Sequence, residues 1–113
     1  MYGSTKKEGE MKILAIERER PGVAAEQILP FLKEEAETVW EWVQAGIMRE
    51  VYFHEEQSSA VLIMECDSRY HAEKILNTLP LVREQLIEFD ILPLVPYPGF
   101  ARLFEKNLIS QQG

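Results

Sequence analysis

The 113-residue chain has one cysteine, two histidines and only 12 lysines and arginines against 19 aspartates and glutamates. A single cysteine, Cys66, cannot close an intramolecular disulfide and points to a reducing compartment, the cytoplasm. It stands in the apolar run 60–66, which suits packing better than a reactive thiol. Two histidines and one cysteine without ligand spacing give no zinc or iron motif. With a formal net charge of −7 and no basic stripe, neither nucleic acid nor an anionic membrane is an expected partner. No apolar run approaches the length of a membrane span, and the opening "MYGSTKKEGE" has no signal-peptide pattern. The sequence also lacks a glycine-rich phosphate loop, a serine-nucleophile motif and any interleaving of aromatic with basic residues.

What is present fits one domain with a real core. Residues 1–10 read as a loose polar tail, 11–104 as the folded domain and 105–113 as a second tail. "MKILAI", then "ERER" and Pro21-Gly22, reads as a strand followed by a turn. Ile28, Leu32, Ala36, Val39 and Val43 form one helical stripe that ends at Gly46. Pro30 places the start of the helix proper, with 24–29 as a separate turn or kinked lead-in. Trp40 and Trp42 lie roughly 70–90° from the stripe centre at about 100° per residue, so they flank the core as shoulders or subunit contacts.

Residues 48–53 and "AVLIMEC", separated by the polar "HEEQSS", read as a hairpin. A second helix follows, capped by Asp67 or Ser68 and carrying Tyr70 or His71, Ala72, Ile75, Leu76 and Leu79 inward. Leu-Pro-Leu-Val occurs twice, at 79–82 and 92–95. The first copy is expected to end the second helix and the second to lie at the end of the strand "LIEFDIL". Their flanks differ, and no repeat architecture has this period. From Pro93 onward, three prolines in six residues predict an extended segment with a turn at Pro98-Gly99, laid across the Trp40 and Trp42 shoulder of a second subunit.

The order strand, helix, strand, strand, helix, strand predicts an α+β, ferredoxin-like βαββαβ domain with an antiparallel four-stranded sheet. Both helices then cover one face, yet the strands carry apolar side chains on both. A second copy packed sheet to sheet resolves this as a homodimer, a dimeric α+β barrel.

Gly46, Arg49, Tyr52, Glu65 and Leu79-Pro80-Leu81 follow one another within residues 42–82. A helix ending in Gly, an Arg opening the second strand, an aromatic inside it, an acid closing the third strand and a helix running into Leu-Pro-Leu resemble the muconolactone isomerase family of dimeric α+β barrels. The resemblance implies a cofactor-free fold, dimers that build larger rings, and a small-molecule pocket between sheet and helices. Isomerisation of a small carboxylated lactone needs an acid/base pair rather than a metal. The matching glutamate is Glu35, and Arg49 suits a substrate carboxylate. At the family's polar first-strand positions this chain has Ile13 and Ala15, leaving Glu17.

Strand parity adds candidates. Val51 and Phe53 read as facing the helices, and Tyr52 and His54 as facing the barrel. Glu17, His54, Glu88 and Asp90 are expected around one cavity, a setting that tunes a histidine base near neutral pH. The catalytic candidates are thus Glu35, His54 and Glu17, with Arg49, Tyr52 and Asp90 binding substrate. The alternative class is a non-catalytic barrel that binds a small ligand or only assembles. A cavity lined by His54 and an acid favours the enzyme; one filled by Leu, Met and Phe favours the binder.

Overall fold

The computed structural model describes residues 10–104; the expected tails, 1–10 and 105–113, lie outside it apart from Glu10. Strand β1 (Met11–Glu19) leads into a short helix α1 (Ala25–Ile28), a 3-10 turn (Leu29–Phe31) and helix α2 (Leu32–Ala45). Pro30 lies in the 3-10 turn, so the split lead-in follows from its missing N–H. Gly46, at φ 82°, ends α2 in the left-handed conformation. Strands β2 (Met48–Phe53) and β3 (Ala60–Cys66) form the hairpin, with a register shift at Arg49. Helix α3 (Arg69–Leu76) is capped by Ser68, whose Oγ accepts the His71 N–H at 3.0 Å. A one-turn helix α4 (Pro80–Arg83), strand β4 (Ile87–Leu94) and a 3-10 helix (Pro98–Phe104) complete the described chain.

The sheet order is β2-β3-β1-β4, antiparallel throughout, as an α+β ferredoxin-like fold requires. Registers fix which side chains share a face. Ile13 pairs with Met64 and Ala15 with Leu62, and these four are almost fully buried under the helices. Ala72, Leu76 and Leu79 close over them from α3 and its exit, and Val39 and Trp42 reach them from α2. Cys66 belongs to the same core, and burial pushes its thiol up, as expected of a packing residue.

Two local expectations change. The first Leu-Pro-Leu-Val starts a helix instead of ending one: α3 stops at Leu76, and Pro80 opens α4. A proline is well suited to a first helical position, where its missing N–H costs no bond. The segment after β4 is not extended, because residues 98–104 form a 3-10 helix. Pro98 initiates that helix for the same reason. Pro93 is accommodated inside β4 because β4 is an edge strand.

The face opposite the helices is apolar at its centre. Leu14 lies between Ile63 and Leu92, and Ile16 is paired with Val61, which itself pairs with Tyr52. Leu14, Ile16, Val61 and Ile63 are half-buried by their neighbours alone, while Tyr52, Leu92 and Leu94 are exposed. Charge borders this centre: Arg18 meets Asp90 and Arg20 meets Glu88, each at 3.3 Å, and Glu50 on the edge strand β2 lies opposite Ile63.

Candidate functional site

Helix α2 is turned away from the orientation its stripe predicts. None of its residues is fully buried, and Leu32, Trp40 and Val43 are exposed. The side packed on the sheet is the neighbouring stripe, Glu35, Val39 and Trp42, spaced by four and three. Two contacts explain the rotation. The Trp42 ring packs against the core, and Glu35 Oε1 accepts the Leu81 N–H at 3.0 Å. That bond caps α4, whose own N-cap position, Leu79, has no side-chain acceptor.

The rotation opens a cleft of about 480 Å³ between α2 and the helix-facing side of β2 and β3. Trp40, Val43, Val51, Phe53, Leu62 and Phe89 supply its apolar wall, and Glu35 is the carboxylate that lines it. Phe53 also borders a second recess of about 470 Å³ beside α1, so the two recesses share that ring as a common wall and make up the α2–β2 groove. Glu17 lies close by in a polar notch formed with hairpin residues 56–59. Its Oε1 accepts the Ala60 N–H at 2.8 Å, and Ala60 lines the cleft. The β1–β3 ladder ends at Ile16 and Val61, so the Glu17 side chain takes over the next position.

Both carboxyls hold protons more tightly than an ordinary glutamate. For Glu35 the chief cause is burial, partly offset by the Leu81 N–H, with the charge of Glu17 raising it further and Arg83 opposing. For Glu17 burial again dominates, the Ala60 N–H lowers it and Glu19 adds repulsion. A half-buried acid whose proton affinity is raised by burial and by a second acid, on an apolar wall, is the kind of group that serves in acid/base chemistry.

The remaining candidates lie elsewhere. His54 is exposed at the end of β2, where its Nδ1 accepts the Glu56 N–H at 3.0 Å. Arg49 is exposed at the β2 register shift. Tyr52 is on the open face and donates its O–H to Glu50 at 2.7 Å, which holds the phenol above its ordinary value. Asp90 is on that face too, paired with Arg18. The expected grouping of Glu17 with His54, Glu88 and Asp90 therefore does not form: Glu17 pairs with Phe89 on the helix side, while Glu88 and Asp90 point the other way. The structure brings Glu17 and Glu35 together. Trp40, the Leu81 N–H and Arg83 complete the surroundings of Glu35 and were not anticipated. Only Trp40 left a trace in the sequence, through its spacing of four and three from Ala36 and Val43.

No protein-family model matches the chain, and no curated protein matches it.

The two roles of Glu35, cap and acid, separate by substitution. Glu35→Gln keeps an acceptor for the Leu81 N–H, whereas Glu35→Ala removes it and is expected to cost about 1 kcal/mol, as for a lost helix cap. Because the folded carboxyls titrate above the unfolded ones, their contribution to stability is complete below the unfolded value, about 4.5, and is lost as pH rises through the folded value. Glu35→Gln is therefore expected to gain stability relative to the parent as pH rises across that range. Urea unfolding of both proteins at a series of pH values measures this difference. A constant difference would mean that Glu35 is not destabilised by its surroundings.

Proposed function

We propose that this protein is a muconolactone isomerase-like enzyme that transfers a proton within a small, mostly apolar carboxylated lactone, without a cofactor. The observation carrying this reading is Glu35, a half-buried carboxyl of raised proton affinity on the wall of an apolar cleft large enough for such a molecule. Ionised Glu35 takes a proton from the carbon next to the lactone carbonyl. The C–H electrons pass into the conjugated enolate, and the same carboxyl returns the proton to the far carbon as the double bond moves. Glu17 strengthens Glu35 as a base by repelling its ionised form. In this reading two copies join by their open sheet faces and close the α+β barrel.

A non-catalytic binding barrel is the second reading. It is favoured by the single backbone N–H that each carboxylate already accepts, and by the Val, Trp, Phe and Leu of the cleft wall. Incubating the protein with β,γ-unsaturated lactones bearing a carboxylate, in D₂O, separates the two. Deuterium entering the ring carbons, followed by NMR and abolished in Glu35→Gln, supports the isomerase. Saturable binding without exchange supports the binder.

A further inference from the structure

The segment after β4 combines order with exposure. Tyr97 and Phe100 stack edge to face with ring centroids 4.9 Å apart. The Tyr97 ring fills the space in which a side chain on Gly99 would sit, so this packing requires glycine there. Yet Val95, Tyr97, Phe100, Leu103 and Phe104 are 64–82% exposed. A short ordered element that presents five large apolar side chains to water is built to be covered.

The same chain carries a surface that fits it. Leu29, Leu32, Trp40 and Val43 on the helical side, with Val51 and Phe53 on β2, leave the groove apolar and exposed. Between Leu29 and Val43 the groove runs roughly 21 Å at 1.5 Å per helical residue. Residues 95–104 span about 24 Å, counting three extended residues and a seven-residue 3-10 helix at about 2 Å each. Charge agrees as well. Helix α2 carries Glu34, Glu35, Glu37 and Glu41 against Lys33 alone, and the only charged residue of 95–104 is Arg102.

The segment does not occupy the groove of its own protomer: its large side chains and those of the groove are all exposed. It leaves from β4, at the opposite edge of the sheet from β2, about 14 Å away at roughly 4.8 Å per strand. We propose that residues 95–104 of one copy dock in the α2–β2 groove of a second copy and roof its cleft, each copy serving the other about a twofold axis. This exchange rests on the homodimer proposed above, and it makes the Glu35 cleft a chamber completed by the partner.

The full chain and its Phe100→Asp, Phe104→Asp double variant test this. Both phenylalanines are exposed in the protomer, so the variant retains its fold. With Trp42→Phe in both proteins, so that Trp40 is the one tryptophan, acrylamide quenching of its fluorescence reports on cover over Trp40, and sedimentation reports on association. The expected result is weak quenching in the parent dimer and quenching several-fold stronger in the variant, with a weakened dimer. Equal quenching in two dimeric proteins overturns the exchange and leaves the dimer standing. A parent that sediments as a monomer overturns both. A dimeric parent already quenched as strongly as free tryptophan assigns the groove to some other occupant and overturns the exchange alone.

Discussion

Ile63→Asp is expected to leave the protein monomeric at concentrations where the parent is a dimer. Ile63 is on β3, an interior strand, next to Leu14 and at the centre of the open face. Its side chain takes no part in the core beneath the helices, so the protomer should fold with the substitution. In the proposed dimer the twofold axis doubles every change at this face. Each copy loses apolar burial worth about 1 kcal/mol, since the side chain is already half covered in the protomer. Each copy also carries a carboxylate into an apolar interface that has no partner for it, which costs about 1–3 kcal/mol or more. Together these amount to about 4 kcal/mol or more, a weakening of roughly a thousandfold in Kd. Sedimentation velocity across a concentration series measures it, with Ile63→Val as the control that keeps shape and polarity. An Ile63→Asp protein that stays dimeric would show that the open face is not the interface.

The fold was legible because its signals are local and agree with one another. Runs such as "MKILAI" and "AVLIMEC" alternate against turns of unambiguous chemistry, and the sheet order follows once each strand and helix is assigned. Pro80 shows where local reading stops. A proline after an apolar helix serves equally as the end of that helix or the start of the next. The Leu81 N–H donates to Glu35, 46 residues earlier, a contact that fits only the second use. That bond, with the Val39 and Trp42 packing, accompanies the turn of α2 by one stripe, and no count of apolar spacing contains it. Site reading failed at the same level. Glu35 and Glu17 were visible as candidates, but their nearness depends on α2 lying on the sheet through Val39 and Trp42 and being tied to α4 through that bond. For His54, Glu88 and Asp90, alternation was read correctly along each strand but joined to the wrong side of β1. Registers, which place Glu17 opposite Phe89 and Ile16 opposite Asp90, correct it. The proline-rich segment failed for a simpler reason: prolines exclude an α-helix interior, yet a 3-10 helix can begin at one.

Glu35→Gln is expected to slow deuterium incorporation into a lactone substrate by about 10²–10⁴-fold, the usual contribution of a positioned acid/base group. An amide accepts the Leu81 N–H as the carboxylate does, so α2 and α4 stay in place and the loss belongs to proton transfer. The pH dependence gives a sharper criterion. In the proposed mechanism ionised Glu35 is the base, so the parent rate should rise with pH through the raised carboxyl value and then level off. Removing the neighbouring charge with Glu17→Gln preserves an acceptor for the Ala60 N–H but relieves the repulsion that Glu35 feels. Its rising limb should therefore move to lower pH, while the plateau changes far less than in Glu35→Gln. A purely structural role for Glu17 would alter the plateau or the stability and leave the limb where it was. Full exchange in Glu35→Gln would remove Glu35 from the chemistry, a limb that ignores Glu17→Gln would remove Glu17, and both results together would remove the pair. The groove would then be an apolar binding site in which the two acids serve only as caps for Leu81 and Ala60.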